Sequence, residues 1–223
     1  MKVIALIGLM LLSLVSRAES NTDQFVQFKI SSLQLFSSFS SFIYFQGDDR
    51  NRARLQNAKE QGDIAVAALP GTETSLKTKW KQITDYVDLY QSYDFDGVDM
   101  SLEGGWSILQ NEFNKIIDTR AESKISTIDE FQIRMETILS QYMAYANSTT
   151  GGYGVSSSGV PLDKQIDDMT KELAALAEKS DKYKPLQKRW NYIQGTLLAY
   201  NSNVAPYVVL HTFEGMRKMI ASY

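Results

Sequence analysis

Five segments of this chain repeat large apolar side chains at steps of three and four residues, and that spacing constrains the fold more than any other feature. Leu76, Trp80, Ile83, Val87 and Tyr90 form one row; Leu102, Trp106, Leu109, Phe113 and Ile116 form a second. Ile128, Phe131, Met135, Ile138, Tyr142 and Tyr145 form a third; Leu162, Ile166, Met169, Leu173 and Leu176 a fourth; Leu186, Trp190, Ile193, Leu197 and Tyr200 a fifth. An α-helix turns once in about 3.6 residues, so each row lies along one side of a helix and needs a neighbour to cover it. No stretch of the chain beyond its N-terminal region alternates with period two for long enough to make a convincing strand. The expected fold class is all-α, a helical bundle with coiled-coil-like seams.

Breaks between the rows are marked by residues that end helices. Gly47-Asp48-Asp49, Pro70-Gly71, the acidic stretch around Gly97 and Lys184-Pro185 are such breaks, because Gly accepts turn dihedrals and Pro cannot continue a helix. Asn21 with Gln24, and Thr127 with Glu130, have capping-box spacing and mark helix starts. The Gly- and Ser-rich run from 147 to 161 predicts a surface loop. Eight helical segments follow: 23–46, 50–69, 75–93, 101–120, 128–147, 161–180, 184–203 and 206–222. The first carries Phe25, Phe28, Leu35, Phe39 and Phe42 on one seam and Leu33, Phe36 and Ile43 on another. A helix apolar over so much of its girth predicts a central position, packed on several neighbours.

The eight segments divide into four and four because the chain answers itself. At an offset of 110, Leu76 meets Leu186, Trp80 meets Trp190, Ile83 meets Ile193, Tyr90 meets Tyr200 and Ser92 meets Ser202. Heptad spacing alone would align apolar residues, but not both Trp residues and both Tyr-x-Ser ends. Two tandem related four-helix units are expected, 19–122 and 123–223, after a leader of 1–18.

That leader combines Lys2, an apolar run from Val3 to Leu12, and small Ser16 and Ala18 before a cut after Ala18, the pattern of a secretory signal peptide. The run is too short for a membrane-spanning helix, which needs about 20 apolar residues. The mature chain is therefore expected to be exported, periplasmic or secreted, and not membrane-spanning after cleavage. In a eukaryotic secretory setting Asn147-Ser148-Thr149 would be a glycosylation acceptor. Losing Lys2 and Arg17 takes 23 basic residues to 21 against 26 acidic ones, so the formal charge moves from −3 to −5. An acidic chain without a basic face argues against nucleic acid as a partner.

Residues that carry chemistry are few. Cys is absent, which removes disulfides, thiolate catalysis and zinc–thiolate sites, and His211 is the sole His. There is no strand-borne GxSxG and no phosphate-binding Gly loop. No catalytic residue, resident metal or cofactor is expected, and the chain reads as non-enzymatic. Asp94, Asp96, Asp99 and Glu103 surround Gly97, but their spacing departs from the EF-hand loop, where Gly stands sixth and Glu twelfth. They read as an acidic helix-to-helix turn, with a weak calcium site as the alternative. Trp80, Tyr90, Trp190 and Tyr200 are the candidate ligand-binding residues, since a ligand held between related units would use aromatics repeated in both.

The acidic gap Gln46-Gly47-Asp48-Asp49, the seam through Trp80 and the stretch RMETILSQYMAYA from Arg134 resemble the PilJ-type, nitrate-sensor-like periplasmic four-helix modules. Three residues separate Arg134-Met135 from Leu139-Ser140-Gln141, and the resemblance covers the layout of each half. It implies a signal-input or ligand-binding bundle that serves a separate membrane partner. The functional expectation is thus an accessory or sensor module with a protein partner in the cell envelope and a small-molecule ligand. The alternative is a structural scaffold of the envelope with no ligand.

Overall fold

The computed structural model describes residues 24–92, 95, 100–118, 125–147 and 160–223. Every regular element among them is helical: α1 (24–44), α2 (Asp49–Ala68), α3 (Thr74–Gln91), α4 (Met100–Asp118), α5 (Thr127–Asn147), α6 (Leu162–Lys179), α7 (Lys184–Leu198) and α8 (Pro206–Ile220). A 3-10 turn, Asp181–Tyr183, joins α6 to α7. The all-α bundle expected from the seams is the fold observed. The leader, the aspartates around Gly97 and most of the 147–161 loop lie outside the described residues.

Local chemistry sets the ends of these helices. At the close of α1, Gln46 and Gly47 take positive φ values of 52° and 71°, and Gly47 N donates to Phe42 O at 2.9 Å while Gln46 N donates to Ile43 O at 3.0 Å. That Schellman closure satisfies carbonyls left over at the helix end. Asp48 then caps α2 by accepting from Asn51 N at 2.7 Å. The start of α5 differs by one residue from the expected Thr127 cap. Ser126 is the capping residue, its hydroxyl accepting from Asp129 N at 3.1 Å and donating to the Asp129 carboxylate at 2.6 Å. A Ser at the cap with Asp three residues on does the work expected of Thr127 and Glu130. The expected end of α7 is also corrected, from 203 to Leu198. Asn203 N and Ser202 N both turn back to Ala199 O, and Pro206, opening α8, disfavours helix in the residue before it.

Buried apolar side chains form two clusters. One is built from α1–α4 around Phe28, Phe36, Phe39, Trp80, Trp106 and Phe113. The other is built from α5–α8 around Phe131, Met135, Tyr142, Leu173, Trp190 and Phe213. Trp80 and Trp190 occupy matching places in them. Each indole N–H donates at 2.8 Å to the preceding helix, Trp80 to Asp63 Oδ1 and Trp190 to Thr170 Oγ1. The seams run as spaced, but two of them drift. At the ends of α4 and α6, Ile117 and Ala177 are buried where Ile116 and Leu176 were expected, because a straight helix of 3.6 residues per turn slips against a strict heptad.

α2 packs through Asn51, Ala58 and Gly62 with Leu55 as its one large apolar side chain, and this is why no apolar row betrayed it. Gly62 lies flat against the Trp80 ring, where an added Cβ would collide with Cζ2 and Cη2. Gly62→Ala is therefore expected to destabilise the protein by about 1–3 kcal/mol, despite the better helix propensity of Ala. A urea midpoint at or above that of the parent would show that α2 and α3 can separate at no cost.

Candidate functional site

α1 is buried around nearly its whole girth, and its two sides differ in chemistry. Its phenylalanines enter the α1–α4 cluster, while Tyr44 and Phe45 reach the other. Three of its buried hydroxyls turn back on the helix itself, while the buried Ser40 Oγ has no hydrogen-bond partner. Ser32 donates to Phe28 O at 2.7 Å, Ser37 to Gln34 O at 3.1 Å and Ser41 to Ser37 O at 2.6 Å, which leaves these serines small and locally satisfied. Polar bonds join α1 and α4 to α5. Gln34 Nε2 donates to Glu136 Oε1 at 3.1 Å, Gln110 Nε2 to Ser140 Oγ at 2.7 Å, and Asn147 Nδ2 to Ser40 O at 2.7 Å.

At Gln34 a cleft of about 580 Å³ opens between α1, α2 and α8, lined by Gln34, Ser38, Arg50, Ala53, Arg54, Asn57, Ala58, Glu214, Arg217 and Lys218. Helical spacing assembles it. Arg50, Arg54 and Asn57 step along one face of α2, and Glu214, Arg217 and Lys218 along one face of α8. Beneath it Glu136 is completely buried and accepts two 2.6 Å bonds from Arg217, one from Nε and one from Nη2. Desolvation works against the charge of Arg217, but the Glu136 carboxylate outweighs it and holds the guanidinium above its ordinary pKa. Arg54 donates from Nε to Glu214 Oε1 at 2.9 Å and from Nη1 to Asn51. Arg50 is half-exposed, 3.7 Å from Glu214 and 3.4 Å from the Tyr207 hydroxyl, with its guanidinium 5.5 Å above the Tyr207 ring. Four cations and the two carboxylates, Glu214 and Glu136, leave a formal charge of +2.

Burial pushes the Glu214 carboxyl up, yet the hydrogen bond and charge of Arg54, helped by Arg50 and Arg217, carry it to a net position below the ordinary carboxylate range. A depressed carboxylate stabilises the fold above its unfolded value, about 4.3, and that stabilisation is lost as pH falls through the lower folded value. Glu214→Gln is therefore expected to lower the urea midpoint at pH 7, with the difference from the parent closing below about pH 4. A difference that stays constant down to pH 2 would mean the carboxylate charge contributes nothing.

The four aromatics singled out in the sequence do not converge on this cleft. Trp80 and Trp190 are inside separate clusters, Tyr90 packs on Tyr86 at 4.8 Å, and Tyr200 packs on Tyr145 at 4.7 Å. Arg134, in the stretch that resembles the sensor modules, lies on the surface of α5 between Glu130 at 2.6 Å and Glu172 at 3.0 Å. His211 is exposed on α8 and stacks beside Tyr207. A second, smaller cavity of about 130 Å³ lies between α1, α4 and α5, beside Lys29 and Asp118. Among the described residues no group of three or more His, Asp or Glu comes together as a metal site would require, and no helix is long and apolar enough to cross a membrane.

What the sequence reading missed is the set Gln34, Arg50, Arg54, Glu136, Glu214 and Arg217. No local signal marks it: Glu136 stands beside Met135, off the row that runs through Phe131, Met135 and Ile138, and its burial depends on a cation distant in sequence. Comparison with known proteins matches no family model, no curated protein and no solved structure.

Proposed function

We propose that the mature chain is an exported, non-enzymatic binding protein. Two related four-helix units, 19–122 and 123–223, hold a small solute in the cleft between them and present a helical face to a partner in the cell envelope. The cleft is the observation that carries this reading: it is open, roomy and lined by convergent polar groups on three helices of a well-packed scaffold, as small-molecule sites are. Binding is favoured over catalysis because both carboxylates at the cleft are already engaged by guanidinium groups and the one imidazole stacks outside it. The leader at 1–18 supports export, and the resemblance of the RMETILSQ stretch to envelope sensor modules supports a signalling or accessory role.

Ala53 is exposed at the rim of the cleft, so Ala53→Trp can fill it without disturbing the core. In a thermal-shift screen of metabolite-sized solutes, at least one is expected to raise the midpoint of the parent and leave Ala53→Trp unmoved. If no solute distinguishes the two proteins, the binding reading fails and a ligand-free scaffold takes its place.

A further inference from the structure

Resting on the reading of the cleft as a binding site, we infer that its ligand is an organic dianion whose oxyanion groups are gripped by Arg50 and Lys218. The inference starts from which cations are spent. Arg217 gives Nε and Nη2 to the buried Glu136, and Arg54 is divided between Glu214 and Asn51. Each of those carboxylates thus has a guanidinium of its own. Arg50 does not have an equivalent partner, since its polar contacts are 3.4 and 3.7 Å long where charge-assisted bonds run at about 2.7–2.9 Å. Lys218 is exposed and makes no ion pair or hydrogen bond with the described residues.

The formal +2 at the cleft is therefore the charge of these two side chains, one on α2 and one on α8, facing the same space. A cation would meet that charge unscreened. A neutral solute would leave both groups as they are, and an anion carrying two charges would neutralise the cleft. Size argues for an organic body between or beside the charges. A cleft of about 580 Å³ falls within the range of about 300–1,000 Å³ that organic ligands occupy, and a bare inorganic ion would leave most of it to water. Asn57 and Ser38 offer uncharged hydrogen-bonding groups, and Ala53 and Ala58 a small apolar wall, for that body. Carboxylates and phosphate esters share the oxyanion chemistry that Arg and Lys recognise.

Titration calorimetry with the full mature chain at low ionic strength tests this, using glutarate as the dicarboxylate and glycerol 3-phosphate as the phosphate ester. Glutaramide and glycerol serve as their neutral counterparts. The comparison variant is Arg50→Gln with Lys218→Gln, two exposed positions whose replacement is expected to shift the thermal midpoint little. One of the two anions is expected to bind the parent, to weaken as salt is added, and to bind the double variant about tenfold or more less tightly, while the neutral counterparts do not bind. Which anion binds separates the dicarboxylate from the phosphate source. Binding of a neutral counterpart as tightly as its anion, or undiminished binding by the double variant, overturns the charge assignment, as does failure of both anions to bind. The broader reading fails separately, by Ala53→Trp binding every solute as the parent does.

Discussion

Arg217→Met is expected to cost about 3–5 kcal/mol of folding free energy, read as a fall in the urea midpoint at pH 7. The cost comes from the partner left behind. Glu136 is completely buried, and without Arg217 it keeps a single hydrogen bond, from Gln34. A carboxylate in that position must either remain charged without compensation or take up a proton, and both states are unfavourable at neutral pH. The pair as a whole is a different matter. Replacing both partners, Glu136→Leu with Arg217→Met, removes the buried charge together with its counterion, so the double variant is expected to recover most of the loss. If Arg217→Met alone costs less than about 1 kcal/mol, the magnitude of a solvated surface pair, then water reaches Glu136 and the base of the cleft is open.

Trp190→Ala is expected to cost about 3–5 kcal/mol as well, for an unrelated reason. Its indole is fully buried between α6, α7 and α8, 6.3 Å from the Phe213 ring, and its N–H is satisfied by Thr170. Truncation removes that packing, leaves a cavity the size of a ring system, and takes away the bond that Thr170 Oγ1 accepts, leaving it only its own donation to Ile166 O. Because the apolar clusters are distinct, the damage has an address. Hydrogen exchange should rise in α6–α8 well before α3 and α4, and Trp80→Ala should produce the reverse pattern. A small shift in midpoint would overturn the core placement of the indole, and exchange rising equally throughout would mean that the two clusters unfold as one.

The contrast between these two positions explains how much was legible in the sequence. Trp190 could be read because its burial follows from local spacing: Leu186, Trp190, Ile193 and Leu197 lie on one side of a helix whatever covers them. Errors in the helices were of the kind spacing alone produces, namely the late drift to Ile117 and Ala177, the cap at Ser126, and the early end of α7. α2 was located by its flanking breaks although its packing face, Asn51 to Gly62, carries only one large apolar residue. The cleft was not legible at all. Gln34 and Glu136 are 102 residues apart and Arg54 and Glu214 160 apart, and no local period links an α2 arginine to an α8 glutamate. The aromatics drew attention because they repeat, and repetition is what a core requires of each cluster separately.

Since α1 belongs to both sides of the molecule, the order in which contacts can close is set by it. Each apolar cluster is built from helices consecutive in the chain, so each can begin to close through contacts near in sequence. α1 must wait for α5, across separations of 102 residues to Glu136 and 107 to Asn147. Its phenylalanines need not wait, because α2–α4 cover them. The α1–α4 cluster can therefore close first, and what α1 holds open for α5 is its Gln34 amide and Ser40 carbonyl, groups that water can satisfy in the meantime.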